Sequence, residues 1–376
     1  MKDLLAKVKR NGIRWFIARL GRELRNPSRP IVKTAIDGLL RLRRKVSRFR
    51  NKESSELLLA IYDLDVSGIT FNFVEFLIDA EYETSRLHRE GFIVVFVPSS
   101  KDQTLAWKEY DSAIDSTSRQ WRFENILVPL TFLSEKCRGM YLLPTRSEAI
   151  SFVNGRDVHP ALYDGVNLRS IDIGKFYRKL DRPGLFAGLR ASKQGLRYVE
   201  ARMRANGITA PIVTITFRNS AFDSARNSNL DAWSAFARYL RSSGYHPVIV
   251  PDTDTAFQED GRFTEIDMFR ECAWNIGLRM ALYESALLNF FSPNGCATLG
   301  IFNPRCSYIV MNNLPEGSIV TSEEALRRDG YPIRENHRFA SPNQRLNFEA
   351  ESYENILGEF NRFLEQRNSP ATRPVT

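Results

Sequence analysis

The chain has 376 residues, enough for two domains with separate cores, and its 43% hydrophobic and 11% aromatic content is that of a globular protein rather than a disordered one. The net charge of +9 is uneven: residues 1–52 carry 17 Lys or Arg against Asp3, Glu23 and Asp37, so the other 324 residues hold 36 basic and 41 acidic side chains, a balance of −5. An acidic body argues against nucleic acid as its partner, and Cys137, Cys272, Cys296 and Cys306, with no CxxC pair and no His at ligand spacing, argue against a structural zinc site.

The basic arm reads as two amphipathic helices. Leu4, Leu5, Val8, Ile13, Trp15, Phe16 and Ile17 alternate with Lys7, Lys9, Arg10, Arg14 and Arg19, and after Pro27 and Pro30 a second apolar series runs from Ile31 to Leu40 into Arg41, Arg43, Arg44 and Lys45. Such helices suit the interface of an anionic membrane, where each basic residue contributes about 1 kcal/mol. A helical arm packed on the body or on a partner fits the pattern equally well. No stretch approaches the ~20 apolar residues of a membrane span and the start has no signal-peptide core, so the expected location is the cytoplasm, in soluble form or peripheral on the inner face of the membrane.

From residue 53 the texture is that of an α/β protein. Leu57 to Tyr62 reads as a buried strand ending in the loop Asp63-Leu64-Asp65-Val66-Ser67-Gly68; a helix over 71–89 and a strand over 92–97 follow. Residues 99–118 read as a polar loop, 121–133 as helical, 140–143 as a short strand, 146–153 as a helix and 154–188 as irregular. An amphipathic helix over 191–206 leads to a domain boundary near 190–210.

The second half centres on Pro211 to Asp252. A β-branched strand ending at Phe217, a polar loop over 218–229, a helix over 230–240 closed by Gly244, and a strand over 248–250 form a βαβ unit. Beyond it, 266–285 reads as one helix with Arg279 and Tyr283 on one face, 287–291 as a buried strand, Ser292-Pro293-Asn294-Gly295 as a tight turn, 296–302 as a helix and 308–311 as a strand. Residues 313–345 are punctuated by Pro and Gly, 344–348 resumes order, 353–366 is a last amphipathic helix, and the tail from 367 reads as disordered. The expected division is an arm over 1–52, an N-terminal α/β acceptor-side domain over 53–200, a C-terminal α/β nucleotide-binding domain over 201–366 and a tail over 367–376.

In such units ligands bind beyond the carboxyl ends of the strands. The loop from Arg218, with Asn219, Asn227 and Asn229, offers many donors to an anion at a helix start, and a solvated loop capped by asparagine is its bland counterpart. The turn with Asn294, Gly295 and Cys296 is a second candidate, because its glycine lets backbone N–H groups approach a ligand and the following helix adds its positive end. Asp63 and Asp65 end the first strand of the other half. Ordinary turn chemistry explains each of them alone, and Arg279 and Tyr283 read equally well as a helix face packed on the sheet.

Phe217-Arg218 resembles the strand-end arginine of fucosyltransferase-like enzymes. The run from Asn275-Ile276-Gly277-Leu278-Arg279 through Tyr283 into Ser292-Pro293-Asn294-Gly295-Cys296 resembles the helix, strand and glycine loop of that group and of the heptosyltransferases. The resemblance covers about residues 211–312 and departs from the fucosyltransferase HxRRxD pattern, since Asn219 and Ser220 follow Arg218. It implies the GT-B architecture, two Rossmann-like domains facing a cleft, and transfer of a hexosyl or deoxyhexosyl group from a nucleotide-sugar donor to a glycan or lipid-linked acceptor at the cytoplasmic membrane face.

The mechanism so implied is electrostatic. Arg218, Arg279 and the backbone around Gly295 would stabilise a departing nucleoside diphosphate, and Asp63 or Asp65 would take the acceptor proton. Asp63-Leu64-Asp65 and Asp252-Thr253-Asp254 match a DxD pattern without a convincing strand-end context, so the expectation is metal-independent transfer with no cofactor beyond the donor itself. A non-catalytic membrane-associated protein binding a nucleotide or glycan is the alternative. There is no P-loop lysine motif, GxSxG elbow, HExxH or strand-borne GxGxxG.

Overall fold

The computed structural model describes residues 34, 38, 56–100, 115–318 and 320–368. Apart from residues 34 and 38, the expected basic arm lies outside the described residues, as do the residues beyond 368. The chain forms two compact units. One takes the residues up to Gly68 together with Glu83–Ser112 and Arg138–Ile171; the other takes Ile69–Tyr82, Ala113–Cys137 and everything from Asp172 onward.

The first unit is built on β1 (Leu57–Asp63), a strand of six buried residues after Leu57 that has no polar face because it is covered on both sides. The chain passes through α1 (Phe73–Arg86) to β2 (Gly91–Val97), which pairs with β1 in parallel from Leu57↔Gly91 to Asp63↔Val97. Asp115 caps α2 (Ser116–Arg122) by accepting the Ser118 N–H at 2.7 Å, so helix starts within the stretch expected to be loop. The helical path runs through a π turn, Phe123–Leu127, to Val128–Thr131. Then come β3 (Cys137–Leu142), α3 (Arg146–Val153) and β4 (Val158–His159), giving the sheet order β3-β2-β1-β4 with β4 parallel to β1. Leu59, Ile61, Val95, Val97, Ala149, Val153, Val158 and Tyr163 make its core.

The stretch 154–188, expected to be irregular, holds β4 and α4 (Ile173–Lys179). Asp172 caps α4 through the Lys175 N–H at 3.0 Å. Around α4, buried acids of α1 find their partners: Glu75 accepts from the Tyr177 phenol at 2.7 Å, Asp79 pairs with Lys179, and Glu81 accepts from the N–H groups of Ala187 and Gly188. A buried carboxylate must be bonded, and these three staple residues 69–82 into the second unit.

In the second unit the long helix α5 (Lys193–Ala205) precedes the sheet. That sheet contains β5 (Ile212–Thr216), β6 (His246–Val250), β7 (Asp267–Met268), β8 (Leu288–Phe291), β9 (Tyr308–Val310) and β10 (Gln344–Leu346) in the order β10-β9-β8-β5-β6-β7, and every recorded pairing is parallel. The order places the first strand, β5, in the middle, so the chain winds outward first toward β7 and then, from β8, toward β10. The switch point lies between β5 and β8. Helix α6 (Leu230–Ser242) buries Trp233, Phe236, Ala237 and Leu240, the i, i+3, i+4, i+7 stripe that joins Ile356, Phe360 and Phe363 of the last helix in one core.

The region 266–285 is not one helix. Phe269 follows β7, a single turn spans Glu271–Trp274, and Asn275 leaves helical geometry (φ −109°, ψ 103°) to cap α7 (Ile276–Ser285) by accepting the Leu278 N–H at 2.9 Å. After α8 (Ala297–Ile301), the region 313–345 contains α9 (Glu323–Arg328), capped by Ser322. Helix α10 (Tyr353–Asn368) runs two residues into the expected tail. Among the described residues no helix is long and apolar enough to cross a membrane.

Candidate functional site

The carboxyl ends of three neighbouring strands, β8, β5 and β6, meet in the second unit. Arg218 lies two residues past β5. Its N–H donates to Ser228 Oγ at 2.8 Å and its carbonyl accepts the Ser228 N–H at 3.0 Å, so the twelve-residue loop returns to its own start. Ser228 Oγ lies 2.6 Å from Ser292 Oγ at the end of β8, and Asn294 Nδ2 reaches the Phe217 carbonyl at 3.5 Å. On the other side the Asn219 N–H donates to Asp252 Oδ2 at 3.0 Å, past the end of β6. Arg218, Asn219, Asn227, Asn229 and Asn294 are thereby gathered at the switch point of the sheet, where this class of fold holds its ligands.

Arg218 is 7% exposed. One Nη donates to the carbonyls of Phe222 and Asp223, while its Nε is buried without a hydrogen-bond partner. Burial pushes its pKa down against the pull of Asp252 and Asp223. Arg226, in the same loop, also has a buried Nε without a partner, and burial together with the like charge of Arg218 pushes it down to about 10. Asp223 also pulls on Arg226, but neither arginine forms an ion pair among the described residues; a buried cation without a bonded counter-ion is costly, and an anion at this position would relieve both groups.

The asparagines divide by role. Asn227 holds the loop through Ser220, accepting its N–H and donating to its carbonyl, each at 3.0 Å. Asn229 caps α6 through the Ala232 N–H, and its own N–H donates to Glu351 Oε2 at 2.8 Å, an oxygen that also receives the Trp233 indole. Asn294 accepts the Ala297 N–H at 2.9 Å and so closes the turn that leads into the short α8. Asn219 and Asn229 are exposed, and Asn227 and Asn294 are half-buried.

Arg279, Cys296 and Tyr283 lie deeper. The Arg279 Nε donates to the Cys272 carbonyl at 2.5 Å and Nη1 meets the Cys296 sulfur; burial pushes that thiol up, and the arginine opposes the shift. Tyr283 is fully buried with its hydroxyl 2.8 Å from Thr216 Oγ1, which places it in the core under the end of β5. Gly295 has a different neighbour from the one its turn suggests: the space a Cβ would take is filled by the Phe71 ring.

In the first unit Asp63 and Asp65 lie at the carboxyl end of β1. Arg146 grips Asp63 in a fork, Nη1 to Oδ1 at 2.8 Å and Nη2 to Oδ2 at 2.7 Å; the Tyr163 hydroxyl donates to Oδ2 at 2.6 Å and the Asp65 N–H to Oδ1 at 2.9 Å. Asp65 receives the Ser99 hydroxyl at 2.8 Å, the Ser100 N–H and hydroxyl at 2.7 Å each, and lies 3.1 Å from Arg146. Burial pushes Asp65 up, but the hydrogen bonds from Ser100 and Ser99 and the charge of Arg146 outweigh it and hold the carboxyl below its usual range. Asp65 is thus kept as an anion.

Ser228 and Ser292, from the loop and the turn already marked in the sequence, complete these two clusters with Glu351, Arg146 and Tyr163, which carry no motif there. Arg146 had one local signal, its place directly after Thr145 in a capping box with Glu148. Among the described residues no group of three or more His, Cys, Asp or Glu is arranged to hold a metal.

No protein-family model matches the chain, and no curated protein matches it in sequence. Among solved structures it is similar to the ADP-heptose LPS heptosyltransferase II of E. coli (10% identity, TM-score 0.44, covering 83% of this chain and 100% of that one) and to a glycosyl transferase family 9 protein of Veillonella parvula (9%, 0.45, 82% and 97%). It is also similar to the E. coli heptosyltransferase WaaC with ADP, at 10% identity and a TM-score of 0.33 over 82% of this chain and 98% of that one.

Proposed function

We propose that the chain is a glycosyltransferase of the GT-B class that moves a sugar from a nucleotide-sugar donor to a glycan or lipid-linked acceptor. The observation that carries the reading is Arg218: a guanidinium buried at the switch point of a six-stranded parallel sheet, short of partners, beside a helix N-terminus capped by Asn229. That combination suits a nucleoside diphosphate, whose charge would meet the arginine and the amide groups of the strand-end loops.

The second unit is assigned the donor and the first the acceptor. As the bond from the anomeric carbon to the diphosphate breaks, its electron pair stays on the phosphate oxygen, and Arg218 stabilises the growing charge. The acceptor oxygen bonds to that carbon and gives its proton to a carboxylate, for which Asp65 is the better choice. Its serine hydroxyl donors can rotate away, whereas Asp63 is fixed by the Arg146 fork and the Tyr163 phenol. Arg279 and Cys296 form the floor beneath the glycine turn and act by holding it. The hexosyl type, independence from metal and attachment to the inner membrane face through residues 1–52 are parts of the same proposal.

One observation favours a second reading, a nucleotide- or glycan-binding protein without turnover: Asp63 and Asp65 both pair with Arg146, and a cation held against a carboxylate weakens it as a proton acceptor. Release of nucleoside diphosphate from a panel of sugar nucleotides, with and without membrane glycan extract, separates the two. A transferase releases diphosphate faster with extract and loses this on Arg218→Ala and on Asp65→Asn. A binding protein releases none.

A further inference from the structure

The loop between Arg218 and Asn229 holds a second arginine that the reading above leaves unused. Its shape is fixed by internal bonds. Asp223 adopts a left-handed conformation (φ 53°), the Arg226 N–H donates to its carbonyl at 3.2 Å, and Asn227 closes the loop on Ser220. The carboxylate of Asp223, the acid of this loop, is near enough to pull on both arginines but bonds to neither: its Oδ2 accepts the Ser318 hydroxyl at 2.7 Å and the Val320 N–H at 3.4 Å. Neither Arg218 nor Arg226 forms an ion pair among the described residues, and each has its Nε buried and unbonded.

We propose that Arg226 completes, with Arg218, a two-guanidinium site for a doubly charged terminal phosphoryl group, so that the chain holds a nucleoside diphosphate more tightly than the sugar ester that releases it. The inference rests on the reading of Arg218 as a diphosphate contact and adds a residue and a preference to it. Two like charges brought together out of water repel one another, and the repulsion is offset best by a ligand carrying two negative charges. A sugar nucleotide has one charge on the phosphoryl group next to the sugar. The free nucleoside diphosphate has nearly two at pH 7.5, since the second ionisation of a terminal phosphate falls near pH 6. The same increase in charge accompanies departure of the sugar, so a site matched to the dianion favours bond breaking over binding of the intact donor.

Isothermal titration of the full chain at pH 7.5 with ADP, GDP, UDP and CDP, with the glucose ester of each, and with inorganic pyrophosphate tests this. The nucleoside diphosphate that binds should do so about tenfold more tightly than its ester, the ratio that 1.4 kcal/mol gives. Arg226→Gln should weaken the diphosphate and leave the ester within about threefold, erasing the preference, while Arg226→Lys, which keeps the charge, should retain part of it. At pH 5 the wild-type preference should shrink as the terminal phosphoryl takes up a proton, an arm that holds even if Arg226→Gln fails to fold. Equal affinities in the wild-type chain, or a preference that Arg226→Gln leaves untouched, would overturn the proposal while the reading of Arg218 stands. Binding of pyrophosphate but of no nucleotide, lost in Arg226→Gln, would keep the anion site and remove the glycosyltransferase reading. Binding of neither would end both.

Discussion

Gly295 lies against Phe71: a Cβ on the glycine would stand 2.8 Å from Phe71 Cδ2 and 2.9 Å from Phe71 Cβ. The glycine of the second strand-end turn is therefore required by a neighbouring ring, whatever its backbone does for a ligand. Gly295→Ala should destabilise the chain by about 1–3 kcal/mol, the usual cost of overpacking. In Gly295→Ala with Phe71→Leu the losses should fall short of additive, since the leucine vacates the contested space. Denaturant melts of the two single variants and the double variant check this, and strict additivity would show that the ring is not the constraint.

The acids at the end of β1 serve structure whatever their chemistry. Removing the carboxylate of Asp63 leaves the Arg146 guanidinium and the Tyr163 phenol without their shared partner. Asp63→Ala should cost about 3–5 kcal/mol, as breaking a buried pair does, and Tyr163→Phe about 1 kcal/mol. Asp65→Asn, which keeps an oxygen for the Ser99 and Ser100 hydroxyls, should cost less than Asp63→Ala. Urea unfolding of the three variants gives the order directly.

Glu75 predicts a dependence of stability on pH. Its carboxyl is buried beside Tyr177, and burial raises it from 4.5 to about 7, against the Tyr177 hydrogen bond. The folded chain then binds this proton more tightly than the unfolded one, so the contribution is complete below about pH 4.5 and declines as the pH rises through 7. The raised value corresponds to about 3 kcal/mol for this group. Glu75→Gln keeps an acceptor for the phenol and removes the titration. Between pH 5 and pH 8 the wild-type chain should therefore lose stability relative to the variant, and parallel curves would contradict the assignment.

The strands that organise both sheets were legible because each is a continuous apolar or β-branched run: Leu57 to Tyr62, Phe92 to Val97, Ile212 to Phe217 and Leu287 to Phe291 leave no other reading. Their parallel pairing follows from the helices between them. Short elements escaped. Val158–His159 is too brief to form a run and is a strand only because it pairs with Leu59 and Ala60. Asn275 sits inside an apolar stretch that continues at helical spacing, and periodicity does not tell an asparagine that caps from one that is carried along. The site shows the same division. Arg218 was readable from its place after a strand, whereas Arg146 meets Asp63 across 83 residues and Glu351 meets Asn229 across 122, pairings set by the sheet and invisible to local pattern.

The most direct test of the account is a thermal-shift series on the full chain with nucleoside diphosphates and sugar nucleotides, repeated with Arg218→Ala. A ligand at 100 times its dissociation constant stabilises by about 2.7 kcal/mol, which for a unit of this size raises Tm by about 5–11 °C. The account predicts such a shift for at least one nucleoside diphosphate in the wild-type chain and its loss in the variant. A wild-type chain that no nucleotide stabilises, or a shift that survives Arg218→Ala unchanged, would contradict it.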